Sequence, residues 1–313
     1  MDNFMNGMFA FLFCIIPVIV FKIQGCIPKA NKKTHALMTA GWGAISFLFT
    51  FLLILISGRE FKIAIALITT LITSIYNFFL MEDKIDAKNL VKMFIIFLLF
   101  MMSSYLQLIP MAIFDIDLNT ITTATATWLT VFSDAILLIV LLIIYRKDLK
   151  SDFKSFRQHT WENMDIAIKY WLIGLIIMGT SNVLITFLAT GAQATNELGV
   201  QSMIQSSPLA SFLAAGILAP IIEELTFRKS FFDALKNKWL FILTSGLIFG
   251  GLHVVSATSW QDFLFIIPYS SLGIAFAAMD YNRKNIFPSI SMHLIHNIVL
   301  TLLSITTLAV ILI

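Results

Sequence analysis

Ten stretches of mostly apolar residues alternate with short polar breaks along the 313-residue chain. A helix that crosses a bilayer needs about 20 apolar residues, and each stretch is close to that length. The stretches cover residues 4–21, 36–57, 62–81, 92–109, 128–145, 166–190, 206–228, 239–256, 263–281 and 286–312. This pattern predicts an all-α, polytopic bundle of about ten transmembrane helices in a lipid bilayer.

The basic residues fall on alternate breaks. Of the 21 lysines and arginines, 19 lie in or beside the odd-numbered breaks, and the even-numbered breaks hold only Arg59 and Lys62. Positive charge accumulates on the cytoplasmic side of a membrane protein. We therefore predict ten spans with both termini outside and the basic loops in the cytoplasm. The alternative is that one weak span is re-entrant.

Composition agrees with a membrane protein and excludes several other classes. Hydrophobic residues make up 58% of the chain and charged residues 12%, with a mean hydropathy of +0.89. The net charge of +3 is accounted for by the loops, so we predict no nucleic-acid partner. Asp2 precedes the first stretch and no small-residue cleavage site follows it, which predicts a retained anchor. Cys14 and Cys26 indicate neither a metal cluster nor a disulfide.

The longest strongly charged segment, residues 146–165, divides the chain into two halves. We predict an N-terminal five-helix membrane region of unknown role at 1–145, a cytoplasmic linker or surface helix at 146–165, and a functional core at 166–313. Polar residues within the spans of the first half are scattered singly. Asp134 is the ionisable one, and it is a candidate for a functional role.

The second half concentrates ionisable residues within its spans, namely Glu223, Glu224, His253, His293 and His296. Glu223 lies about 15 residues before the basic turn between its span and the next, and His253 lies about 15 residues after it. In an antiparallel hairpin with a rise of about 1.5 Å per residue, these two side chains reach the same level. A shared site within the membrane is therefore predicted.

Spacing within the segments separates the two glutamates. Glu224 and Arg228 are four residues apart, which predicts a carboxylate–guanidinium pair that supports the fold. Glu223 is rotated by about 100° on the helix and is left for another partner. His293 and Asn297 are also four apart and project together. His296 points to an adjacent face, where we predict either packing or support of the site residues.

One carboxylate with two imidazoles suits two hydrolytic schemes. In the first, Glu223, His253 and His293 bind a zinc ion that activates water. In the second, no metal is needed: Glu223 acts as general base with help from His253, and His293 and Asn297 stabilise the oxyanion. Both schemes cleave an acyl bond, and the residues leave the choice open.

Three short motifs carry a resemblance to a known family. "EELTFR" at Glu223 matches the pattern EExxxR, "FGGLH" at Phe249 matches FxxxH, and "HLIHN" at His293 matches HxxxN. The segment 165–305 thus resembles the CAAX-prenyl protease type II and bacteriocin-processing family of intramembrane endopeptidases, also called the Abi family. The N-terminal five spans match no family that we can name.

The resemblance implies a site for hydrolysis of a peptide bond within the membrane. It implies that Glu223 and His253 activate water, and that His293 and Asn297 stabilise the oxyanion. Supporting roles are implied for three further motif residues, which are Glu224, Arg228 and Phe249. The family is described both as metalloproteases and as metal-free glutamate proteases, so a zinc cofactor is one of two expectations.

The resemblance also sets an expectation for the substrate. The Lys-, Asn- and Ile-rich composition favours a bacterial cell membrane, where the family processes peptides such as bacteriocin or pheromone precursors or confers self-immunity. The expected partner is a membrane-associated peptide or protein. One alternative is a catalytically inactive scaffold or immunity protein that acts by binding. A transporter is disfavoured because its mark, interrupted spans in symmetric halves, is missing.

Overall fold

The computed structural model describes residues 2–27, 32–56, 62–117, 119–188, 194–257 and 259–311. These residues are almost entirely helical, and among them the only β-pairing is an isolated bridge. The helices are α1 (Asp2–Ile23), α2 (Lys32–Ile56), α3 (Lys62–Met81), α4 (Ala87–Met102), α5 (Leu108–Ile113), α6 (Thr123–Gln158), α7 (Thr160–Leu188), α8 (Thr195–Ser206), α9 (Pro208–Ala234), α10 (Lys238–His253), α11 (Trp260–Phe263), α12 (Ile266–Arg283) and α13 (Phe287–Ile311). The predicted all-α class is confirmed.

Most described residues of every predicted apolar stretch are helical, and the main exceptions are the turns at 254–256 and 264–265. In the described part of the chain, seven helical segments are long and apolar enough to cross a membrane. The protein is therefore a multi-pass membrane protein. The other three predicted spans fall on α1, α3 and α10, so the count of ten spans and the outside placement of both termini stay predictions. Two of the basic residues from which the orientation of the spans is predicted, Lys29 and Arg59, lie outside the described residues.

The chain forms two compact units. The first contains residues up to Val91 together with Asp233–Asn237, the tip between α9 and α10. Within it, α3 packs against both α1 and α2. Ile85 and Leu235 form the antiparallel bridge, which attaches the tip to the segment after α3. The tip of the hairpin that carries two of the motifs therefore belongs to the same unit as the N-terminal helices.

The second unit contains Lys92–Phe232 and Lys238–Ile313. Its centre is the pair α10 and α12, with α7 packed on α12 and α13 packed on α9. Leu137 and Leu141 of α6 are buried against Ile222 and Leu225 of α9. The compact units do not follow the predicted boundaries at 145 and 165, because residues 92–145 belong to the unit of the motif-bearing helices. The functional division of the chain stays a prediction.

The charged segment 146–165 is helical. It comprises the last third of α6, which runs without interruption to Gln158, and the first turns of α7 from Thr160. Asn163 and Glu162 on α7 accept hydrogen bonds from Arg283 at 2.7 and 3.4 Å. These contacts link the start of α7 to the end of α12. The segment thus packs within its unit.

Two glycines let α10 approach the backbone of α12. A Cβ atom at Gly246 would lie 2.7 Å from the backbone nitrogen of Ile274, and one at Gly250 would lie 2.6 Å from that of Ser270. We expect Gly246→Ala to lower the free energy of unfolding by about 1–3 kcal/mol, because a backbone atom cannot yield to the added methyl group. Thermal unfolding of the purified protein in detergent measures this effect.

Gly251 provides the matched control on the same helix, since no atom of the described residues lies within 4 Å of an added Cβ. Gly251→Ala should raise helix stability by up to about 1 kcal/mol. Equal destabilisation by Gly246→Ala and Gly251→Ala would contradict the close approach of α10 to α12.

Candidate active site

The helix that carries the two glutamates is not a regular α-helix. Within α9, Phe212–Leu218 and Glu224–Lys229 are π-helical turns. Pro220, between them, has no N–H group and cannot donate the usual helical bond to the carbonyl of Gly216. Single π-helical turns occur frequently at functional sites. The second π-helical turn contains most of the EExxxR motif, a feature that hydrophobic periodicity did not predict.

Glu224 and Arg228 form a fully buried ion pair. Arg228 Nε lies 3.3 Å from Glu224 Oε2, and both side chains are 0% exposed. The guanidinium group lies over the ring of Phe249, 4.6 Å from its centroid, and Nη1 donates to Ser245 Oγ at 3.4 Å. The predicted pairing of Glu224 with Arg228 is present, and the motif phenylalanine Phe249 covers it.

His293 joins the two glutamates. Its Nδ1 lies 2.8 Å from Glu224 Oε1, and its Nε2 lies 3.6 Å from Glu223 Oε2. The imidazole is buried, whereas the Glu223 side chain is 17% exposed. Glu223 therefore does have a partner other than Arg228, as predicted. That partner is His293 of α13, whereas helical counting placed Glu223 level with His253.

His253 is the last residue of α10, and its ring lies 4.6 Å from that of Phe249 between centroids. Its Nδ1 lies 2.9 Å from the carbonyl oxygen of Phe249, which can only accept, so Nδ1 donates; in the neutral imidazole Nε2 is then an acceptor. The ring stacks on Tyr269 at 4.5 Å between centroids. Phe249 also contacts the ring of His293 at 5.8 Å. No hydrogen bond or ion pair connects His253 with Glu223 in the described part of the chain.

Asn297 and His296 lie on different faces of α13. Asn297 Nδ2 donates to the carbonyl oxygen of Ala215 at 2.9 Å, in the first π-helical turn of α9. Asn297 and His293 thus both reach α9, as their four-residue spacing indicated. His296 is 9% exposed and lies edge-on to Trp171, with 6.5 Å between centroids. This position agrees with packing. The catalytic roles implied by the resemblance stay predictions.

Two aspartates outside the motifs lie near the glutamates. Asp134 of α6, a candidate from the sequence, is close enough to Glu223 for the two charges to interact. Asp280 of α12 is 3% exposed, accepts from Ser289 Oγ at 2.7 Å and interacts electrostatically with Glu224. The sequence reasoning overlooked Asp280 because it lies at the end of the apolar stretch 263–281. An acidic residue inside that stretch was the available signal.

The predicted zinc ligands do not converge in the described residues. No group of three or more His, Cys, Asp or Glu side chains there is arranged to hold a metal ion. Both ring nitrogens of His293 face carboxylates, and Nδ1 of His253 faces a carbonyl. Of the predicted set, the structure brings His293 and Glu223 together, with 3.6 Å between Nε2 and Oε2, and the zinc site stays a prediction. Cys14 and Cys26 are both free, and Cys14 is buried.

Together, these contacts define a buried carboxylate–histidine–carboxylate arrangement in a multi-pass membrane protein. The family model described as type II CAAX prenyl endopeptidase, Rce1-like, matches residues 205–299. All three motifs lie within this segment, so the resemblance stated from them is confirmed there. The match gives independent support for a membrane protease in general.

Bacterial relatives extend the match beyond the motifs. UPF0177 protein YxdF of Lactococcus lactis is 27% identical over 145 residues, which are 44% of this chain and 78% of that protein. "Putative membrane peptidase YdiL" of Bacillus subtilis is 28% identical over 178 residues, 56% of this chain and 70% of that protein. No solved structure matches. The chain is thus similar to bacterial proteins, one of which is named as a membrane peptidase.

Proposed function

We propose that the protein is an intramembrane endopeptidase in which Glu223 activates the attacking water. One observation carries the proposal: His293 lies between Glu223 and Glu224, and of these two carboxylates only Glu223 is accessible. A general base must be able to reach its water, whereas a fully buried, ion-paired carboxylate cannot. Glu223 is therefore the base, and Glu224 orients His293.

The proposed reaction uses the chain's own polar groups. Glu223 takes a proton from water, the hydroxide oxygen bonds to the peptide carbonyl carbon, and the carbonyl oxygen becomes an oxyanion. Glu223 then returns the proton to the amide nitrogen, the C–N bond breaks, and a carboxylic acid and an amine leave. His253 Nε2 accepts a hydrogen bond from the water and orients it. Asn297 has a second amide N–H beyond the one bonded to Ala215, and it donates to the oxyanion.

We favour the metal-free form of this mechanism because of the histidine contacts. A zinc site needs three converging ligands, and no contact in the described residues brings His253 to Glu223 or His293. Zinc-dependent hydrolysis through Glu223, His253 and His293 is the competing scheme. Were zinc bound there, it would polarise the attacking water.

The proposed substrate is a membrane-associated peptide or protein. The resemblance favours a precursor of the bacteriocin or pheromone type, or a target linked to self-immunity. The name of the Bacillus relative, a membrane peptidase, agrees with this class. The competing proposal is a catalytically inactive scaffold or immunity protein, and it predicts the same fold without peptide cleavage.

We expect His253→Ala to lower the rate of peptide cleavage by about 10²-fold, because the water loses the acceptor that orients it. The measurement uses the purified protein in detergent or vesicles with a quenched-fluorescence library of membrane-associated peptides. His159→Ala is the matched control, since this histidine is exposed and pairs with Glu162 away from the motifs. Undiminished cleavage by His253→Ala would contradict the proposed role.

Metal content decides between the two schemes. The metal-free scheme predicts that the purified, active protein contains no stoichiometric zinc and that chelators leave cleavage unchanged. Stoichiometric zinc that is lost in His253→Ala would establish the zinc scheme instead. A well-inserted protein that cleaves no peptide, with an immunity phenotype that persists in His253→Ala, would support the binding role.

A further inference from the structure

A cavity of about 140 Å³ lies beside Arg228 of the buried ion pair, and neither Glu223 nor Glu224 lines it. Its walls come from the end of α6, the second π-helical turn of α9, and the turn between α12 and α13. The residues lining it are Asp152, Arg228, Lys229, Phe232, Asp280, Lys284, Asn285 and Ile286. The basic residues among them, Arg228 and Lys229 at the end of α9 and Lys284 after α12, lie on the side of the membrane predicted to be cytoplasmic. This volume holds several water molecules.

The buried walls of the cavity carry polar atoms that the protein leaves unpaired. Within the described residues, Arg228 Nη2 and Asp280 Oδ1 have no hydrogen-bond partner. Arg228 is 0% exposed and Asp280 is 3% exposed. Leaving a buried charged group unsatisfied is costly, and buried water usually fills such positions by bridging two or more groups.

We propose that this cavity is a hydration site that opens to the cytoplasm. A water in it accepts a hydrogen bond from Arg228 and donates one to Asp280 Oδ1. The walls favour water over an anion, because the carboxyl groups of Asp152 and Asp280 line the same space as the basic residues. Of the residues that line the cavity, only Arg228 belongs to one of the three motifs. Asp280 and the other lining residues lie outside the motifs.

The proposal also assigns a role to Asp280, and this part rests on the proposed function. The Nε atom of Arg228 is paired with Glu224, and the bridging water holds its Nη2 atom. Glu224 in turn holds Nδ1 of His293. Asp280 is therefore a positioning residue, which acts on His293 through water, Arg228 and Glu224.

Cysteine labelling tests the hydration site independently of catalysis. In a Cys14→Ala/Cys26→Ser background, Ile286→Cys places a thiol on the cavity wall. Inside-out vesicles expose the cytoplasmic face to a small, charged methanethiosulfonate. We expect Ile286→Cys to react at least about 10-fold faster than Ile290→Cys, because thiols in dry, buried surroundings are inert. Ile290, four residues later in the first turn of α13, is similarly buried but does not line the cavity.

An unreactive Ile286→Cys, or one that reacts only from the opposite membrane face, would overturn the hydration site. If that variant fails to insert, Phe232→Cys on α9 tests another wall of the same cavity, again by its labelling rate relative to Ile290→Cys. Labelling that succeeds in a protein without peptidase activity would support the hydration site and count against the proposed function. The two proposals can therefore fail separately.

Kinetics test the positioning role. We expect Asp280→Leu to lower kcat about 10-fold with KM unchanged, because Asp280 touches no substrate but its water holds Arg228. Asp280→Asn keeps an oxygen acceptor and should restore most of kcat. A purely structural role predicts a loss of folded protein with unchanged kcat per folded molecule, and that result would overturn the assignment.

Discussion

Replacing Glu223 with Gln is expected to lower the rate of peptide cleavage by about 10³-fold and to leave the protein folded. Glutamine keeps the shape of the side chain but cannot accept a proton from water at neutral pH. The structural cost is small, because the contact of Glu223 with His293 is long, at 3.6 Å, and the side chain is partly exposed. The measurement is kcat/KM of the purified protein, with thermal unfolding recorded in parallel.

The matched control is Glu197→Gln on α8, an exposed glutamate whose contact is a 3.3 Å hydrogen bond from Gln201. This variant should retain full activity. If Glu223→Gln cleaves peptide at the native rate, Glu223 is not the base. A loss of activity accompanied by an equal loss of folded protein would instead make Glu223 a structural residue.

The elements of the fold were largely predictable because a bilayer restricts the backbone to few solutions. Each long apolar stretch must satisfy its own hydrogen bonds, so such a stretch predicts a helix. The π-helical turns on either side of Pro220 were not predictable from apolar periodicity, because segments of seven and six residues are too short for a change of period to stand out. For residues 146–158 the sequence left a linker and a surface helix open, and the structure continues α6 through them, because charged residues end a membrane span but do not end a helix.

The site was predictable within helices and less so between them. The i, i+4 spacing of Glu224 and Arg228 specified their pairing, because one helix fixes both side chains. Counting residues from a turn gives depth in the membrane but not rotation about the helix axis. For that reason, His253 was placed level with Glu223, while the direct partner of Glu223 proved to be His293. Asp280 was missed because its partner Ser289 lies across a turn, on the next helix.

Replacing Glu224 with Ala is expected to destabilise the protein by about 3–5 kcal/mol, in contrast to Glu223→Gln. Glu224 and Arg228 are both 0% exposed, so removal of the carboxylate leaves a buried guanidinium with an uncompensated charge. His293 loses its 2.8 Å partner in the same step. The measurement is thermal unfolding in detergent, supported by the yield of folded protein from membranes.

A double replacement separates the fold from the chemistry. Glu224→Met together with Arg228→Met fills the same volume without charge, and exchanging a buried ion pair for apolar residues is often neutral for stability. We therefore expect the double variant to unfold near the unfolding temperature of the unmutated protein. Its rate of peptide cleavage should be about 10²-fold below that of the unmutated protein, because Nδ1 of His293 is no longer held. Full activity in the double variant would show that the ion pair serves the fold alone. An unfolding temperature as low as that of Glu224→Ala would show that packing around Phe249, and not charge, accounts for the cost.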